Sequence, residues 1–125
     1  FDESEEHGVN KGLGIIPGRV VPVPSVSLDG VPLKIPHIGW NSLVAAKDAT
    51  WNATILQKTV LGDAVYFVHS FMAEPEDSVD RIANCVYGGN QIPAVIRKQN
   101  IIGCQFHPEK SGSVGLSILH EFIFK

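Results

Sequence analysis

Gln105-Phe106-His107-Pro108-Glu109-Lys110-Ser111 is the stretch on which the reading of this chain turns. The apolar run Ile101-Ile102-Gly103-Cys104 before it has the character of a buried strand, and apolar positions after it, over residues 114–125, recur at helical spacing. The His-Pro-Glu triplet therefore falls where a strand has ended and a helix has not begun. In open α/β sheets that edge is where ligands bind. Pro108 biases His107 toward an extended backbone. There, residues two apart face the same side, so the imidazole and the carboxylate point the same way. A carboxylate on one ring nitrogen fixes the tautomer and stabilises the imidazolium, leaving the other nitrogen free as a base.

The residues alone leave three readings of the triplet open. It can be a surface turn with a solvated His and Glu, since short motifs recur by chance. It can be two ligands of a metal triad completed by His69 or His120, although nothing in their spacing selects either. Or it can be a base and its orienter, with the nucleophile supplied from elsewhere.

Composition narrows the classes. At 125 residues the chain is one domain or part of one, and its 44% hydrophobic and 18% charged content is ordinary for a globular protein. A net charge of −3 offers no electrostatic case for binding nucleic acid or an anionic membrane. No apolar run approaches the roughly 20 residues that span a bilayer. No signal-peptide pattern is read either, so a cytoplasmic protein is expected. Cys85 and Cys104 both lie in apolar, strand-like runs and are expected to be buried free thiols.

Along the chain, the acidic residues 1–6 read as a short helix, ended by Gly8, Gly12 and Gly14. Residues 19–33 carry Pro22, Pro24 and Pro32 among valines with Asp29-Gly30 as a turn, which predicts a small hairpin or excursion from the main sheet. Residues 35–41 read as a turn-like loop around Gly39, with His37 as a polar turn residue, and residues 43–61 as loop and short helix. Residues 64–68 form a buried strand, β-branched and aromatic, with His69-Ser70-Phe71 at its end. Residues 79–87, 94–97 and 101–106 read as three further strands of a meander. Ser111 or Ser113 caps the last helix, whose apolar face includes Val114, Ile118, Leu119 and Phe122.

The segment Gly103-Cys104-Gln105-Phe106-His107-Pro108-Glu109-Lys110-Ser111 resembles the His-x-Glu signature of class I glutamine amidotransferases. Three more stretches match in the same order: residues 1–6 with Gly12-Leu13-Gly14, then Ile35-Pro36-His37-Ile38-Gly39-Trp40-Asn41, then Tyr66-Phe67-Val68-His69-Ser70-Phe71. Within that family they are most similar to the glutaminase subunits of imidazole glycerol phosphate synthase, a histidine-pathway enzyme, and the similarity runs from residue 1 to 125.

The resemblance implies a flavodoxin-like α/β fold, an open twisted sheet with a small antiparallel excursion. It implies a nucleophile Cys a few residues ahead of Phe1, together with strands and an oxyanion loop. Residues 1–125 are then the C-terminal portion of a single amidotransferase domain, expected to be inactive alone. Neither cysteine present has a nucleophile-elbow context. Further implied roles are His107 as base and Glu109 as its orienter. Glu6 would meet the α-ammonium of glutamine, as a carboxylate suits, while Ser70 and Phe71 bind the substrate through their backbone. His69 is expected to be a hydrogen-bonded structural histidine. Trp40, Asn41 and Lys110 are expected to face a partner.

The implied reaction is hydrolysis of glutamine to glutamate and ammonia. The ammonia passes to a cyclase subunit of TIM-barrel type. No metal or organic cofactor is required, since a thiolate and an imidazole suffice. Two alternatives stand beside this reading: a paralogous amidotransferase feeding surface-sugar synthesis, and a non-catalytic amidotransferase-like binding module.

Overall fold

The structure, a computed structural model, describes residues 1–124; Lys125, which the sequence reading includes in the last helix, lies outside the described residues. Among the described residues ten strands precede one α-helix: β1 (Glu3–Ser4), β2 (Asn10–Lys11), β3 (Gly18–Pro22), β4 (His37–Ser42), β5 (Val44–Ala45), β6 (Ala64–His69), β7 (Phe71–Pro75), β8 (Arg81–Tyr87), β9 (Asn90–Lys98), β10 (Ile101–Cys104) and α1 (Gly112–Ile123). They form a sheet ordered β2-β1-β3-β7, a second ordered β10-β9-β8-β5, and the ribbon β4-β6. Only β1 and β3 pair in parallel among the described residues. This mixed α/β architecture is consistent with the expected amidotransferase fold, and the β8–β10 meander lies where the sequence predicts it.

One core joins the ribbon, the second sheet and the helix. Leu43, Leu56, Phe67, Ile92, Phe106 and Ile118 are all buried in it. Alternation along β6 explains its place: Val65, Phe67 and His69 turn inward, while Val68 points out.

Several local expectations are overturned, and residues 43–61, expected to include a short helix, hold strand β5 and turns instead. Residues 1–6 are not helical. A helix of that length is marginal without a packed face, and here the edge of β3 satisfies the backbone instead. Asp2 N–H donates to the Gly18 carbonyl at 2.9 Å, and Glu5 N–H to the Val20 carbonyl at 2.9 Å. Residues 37–41, read as part of a loop, belong to strand β4, which pairs residue for residue with β6 from His37 opposite His69 to Ser42 opposite Ala64. Gly39, the apparent turn signal, sits within the strand opposite Phe67 at φ +130°.

The last helix is also rotated from its expected face. Ile118 is buried, but Phe122 is 58% exposed while Glu121 is buried. Glu121 is tolerated inside because it is paired: Lys58 Nζ lies 2.7 Å from its Oε1, and the Gln57 amide donates to its Oε2.

Candidate active site

His107 stands just beyond β10, in an extended conformation (φ −97°, ψ 96°) ahead of a single 3₁₀ turn, Pro108–Lys110. Its backbone is held from several sides. His107 N–H donates to the Tyr66 carbonyl at 2.9 Å. Its carbonyl accepts from Lys110 N–H at 3.0 Å and from the Ser111 hydroxyl at 2.6 Å. Ser111 Oγ in turn accepts from Tyr66 N–H at 3.0 Å. The expected helix-capping role of Ser111 is therefore replaced: no side-chain cap bond forms, and the buried hydroxyl ties β6 to the His107 segment. Gly115 lets the helix close on this turn. A Cβ there would lie 1.9 Å from the Pro108 carbonyl oxygen, so any side chain would push the turn away.

The 3₁₀ turn brings Glu109 back onto the ring, and Nδ1 of His107 lies 2.9 Å from Glu109 Oε1. The ring carries its proton on Nδ1 toward the carboxylate, leaving Nε2 for outside chemistry; it has no hydrogen-bond partner among the described residues. The backbone N–H of Glu109, and then the His107 ring, hold the Glu109 carboxyl below the usual carboxylate range. A carboxylate that stays ionised is what an orienter needs. The pair is solvent-accessible, with side-chain exposures of 39% and 57%.

The two thiols are built differently. Burial pushes Cys85 up to about 12 and Cys104 up to about 11, so neither is a ready thiolate. Cys104 borders a cleft beside this segment, together with Phe1, Glu6, Ser70, Phe71 and Gln105. The structure thus gathers Glu6, Ser70 and Phe71, far apart in sequence, at one cleft.

The metal-triad reading loses its candidates. His69 has both nitrogens engaged, at 2.8 Å to the Phe71 carbonyl and 2.9 Å to His37. His120 sits on α1 beside Glu121. No group of three or more His, Cys, Asp or Glu side chains is gathered among the described residues.

Of the residues expected to face a partner, Trp40 is 60% exposed and packs edge-on against Tyr66, the residue whose carbonyl holds His107. Lys110 is exposed on the 3₁₀ turn. Asn41 differs, because its amide donates to the Val86 carbonyl at 2.9 Å and reaches His37 Nε2 at 3.4 Å. Sequence reasoning missed His37 and Ser111 as parts of the site. His37 is no turn residue but a buried one, stacked between Phe67 and Tyr87. Its place opposite His69 could have been found only by pairing the two strands.

No helix among the described residues is long and apolar enough to cross a membrane. The family described as glutamine amidotransferase class-I matches residues 13–125. The chain is 53% identical over 124 residues to the imidazole glycerol phosphate synthase subunit HisH 1 of Legionella pneumophila strain Lens, covering 98% of this chain and 58% of that protein. It is 45% identical over 122 residues to subunit HisH of Geobacillus sp. strain WCH70, covering 98% of this chain and 55% of that protein. For subunit HisH of Halalkalibacterium halodurans the identity is 43% over 122 residues, with 98% and 55% covered. The chain thus spans little more than half the length of these curated relatives. A His–Glu pair held at the strand-to-helix edge, and a family match that runs through it, lead to one conclusion: this chain belongs to the class I glutamine amidotransferase family.

Proposed function

We propose that this chain is the C-terminal portion of a glutaminase that hydrolyses glutamine to glutamate and ammonia. We assign it to imidazole glycerol phosphate synthase, where the ammonia passes to a cyclase subunit. The observation that carries the reading is His107, oriented through Nδ1 by Glu109 with Nε2 left open. In this scheme a family Cys ahead of the residue matching Phe1 attacks the side-chain amide. His107 takes the thiol proton and returns it to the departing ammonia, and water then resolves the thioester. Glu6 meets the α-ammonium of the substrate, and the backbone of Ser70 and Phe71 holds its amino-acid end at the shared cleft. Trp40 and Lys110 face the cyclase, while Asn41 supports that strand from within.

The test is a glutaminase assay on the full-length protein with a cyclase partner, alongside complementation of a histidine auxotroph that lacks its glutaminase subunit. Glutamate release and restored growth are expected. Glutamate release without complementation would move the chain to a paralogous pathway. No release would favour a non-catalytic binding module.

A further inference from the structure

Five polar groups around the buried end of the β4–β6 ribbon form one chain of hydrogen bonds, whose directions follow from its two end carbonyls when both rings are neutral. The Phe71 carbonyl can only accept, so His69 Nδ1, 2.8 Å away, carries a hydrogen. A neutral His69 then has a bare Nε2, which accepts from His37 Nδ1 at 2.9 Å. His37 is left with a bare Nε2, facing the Asn41 amide at 3.4 Å. That amide keeps its other hydrogen for the Val86 carbonyl at 2.9 Å. Every donor meets an acceptor only while both rings are neutral. A proton on His69 would set two N–H groups against each other, and one on His37 would do the same against the Asn41 amide.

The bonds end at a functional place. Ser70 lies between β6 and β7, where the chain leaves the ribbon and joins the sheet of β3. Val23 N–H pins the Ser70 carbonyl at 2.9 Å, and the His69 ring spans the crossing to pin the Phe71 carbonyl. Both residues line the cleft that holds Glu6. The His37 ring is clamped by Phe67 at 5.2 Å and Tyr87 at 4.2 Å between ring centres, so it cannot turn without unstacking.

We propose that His37 and His69 are a positioning pair, which through one directed hydrogen-bond chain holds the Ser70–Phe71 backbone in the shape that binds the amino-acid end of glutamine. This rests on the glutaminase reading above. His69 borders that cleft, yet the ring nitrogens of both histidines are engaged within the protein, so the pair acts on substrate binding and leaves the chemical step to His107 and Glu109. A group that binds ground state and transition state alike shows in KM and not in kcat.

The test uses the full-length protein and two readouts. Nitrogen-15 NMR of the wild-type imidazoles at pH 7.5 should show both His37 and His69 neutral with the hydrogen on Nδ1. Nε2–H on His69, or a cationic ring in either, overturns the proposal without any variant. In steady-state assays, His69→Phe and His37→Phe keep ring volume and remove the bonds. KM for glutamine should rise about tenfold, the scale of one lost hydrogen bond, with kcat within about threefold. An unchanged KM in a folded variant, or a fall in kcat alone, overturns the proposal and leaves the glutaminase reading standing. Should the ring variants not fold, the wild-type spectrum decides. A wild-type protein that turns over no glutamine overturns both.

Discussion

The molecule contains two histidine pairings that differ in almost every respect. His107–Glu109 is exposed, charge-assisted and local, made across two residues by a 3₁₀ turn. His37–His69 is buried, neutral and long-range, made across 32 residues by strand pairing. In our proposal the same side chain is a base in one place and a brace in the other. What decides is whether the second ring nitrogen is left open, and whether burial lets the ring take a proton. Burial lowers His37 to about 4, with the neighbouring His69 adding to the shift. Burial lowers His69 as well, against an opposing pull from the Phe71 carbonyl.

The most direct way to break the comparison is to remove the base. His107→Asn in the full-length protein should reduce kcat by about a thousandfold, the usual scale of general acid–base catalysis, with no change in melting temperature. Glu109→Gln should cost less, since it disturbs orientation and leaves the base in place. If Glu109→Gln were the more severe at equal stability, the roles would be reversed.

A second change attacks the brace around His107 without touching its ring. Gly115→Ala would set a Cβ 1.9 Å from the Pro108 carbonyl and 2.8 Å from Ser111 Cβ. Overpacking of that kind costs roughly 1–3 kcal/mol. Thermal unfolding should show that loss, and kcat should fall because the His-Pro-Glu turn is displaced. Wild-type activity and stability together would show that α1 does not set the turn.

Acid sharpens the contrast from the other side. The folded state holds His37 at about 4, below the ordinary 6.5, so it favours the neutral ring. That contribution is fully present above about pH 6.5 and is lost as pH falls toward 4, by an amount on the order of 3 kcal/mol. The groups facing the pair are the Asn41 amide, the Phe71 carbonyl and the rings of Phe67 and Tyr87, and neither histidine has an ion-pair partner among the described residues. The stability difference between wild type and His37→Phe should therefore shrink between pH 6.5 and 4. A difference that stays constant across that window would mean that the pair does not titrate with unfolding.

The smallest effect concerns the outer face of the same ribbon. Trp40→Ala should weaken association with the cyclase partner by about 2 kcal/mol, as buried aromatic anchors do, and Lys110→Ala by less, as rim charges do. Calorimetric titration measures both. Trp40 is largely exposed, so the free subunit should melt unchanged. If Trp40→Ala unfolds the free subunit and spares affinity, the ring belongs to the core and the docking face is elsewhere.

Much of this chain was legible locally. The strand–His-Pro-Glu–helix order, strand β6, the β8–β10 meander and the end of the chain as a helix all follow from residues close in sequence. Proline at 108 and alternating β-branched residues act on their own neighbourhoods. The misreadings have one origin. Residues 1–6 are extended around the two-residue strand β1, and residues 37–42 are strand β4, because distant edges satisfy their backbones, at Gly18 and Val20 for the first and along β6 for the second. Glu121 is buried because Lys58 and Gln57 come to meet it. Sequence by itself placed His107 and Glu109 side by side, since a turn of three residues makes that pair. Tertiary structure alone brought His37 and His69 together, because a hydrogen bond across 32 residues depends on strand register, and register is a property of two segments together.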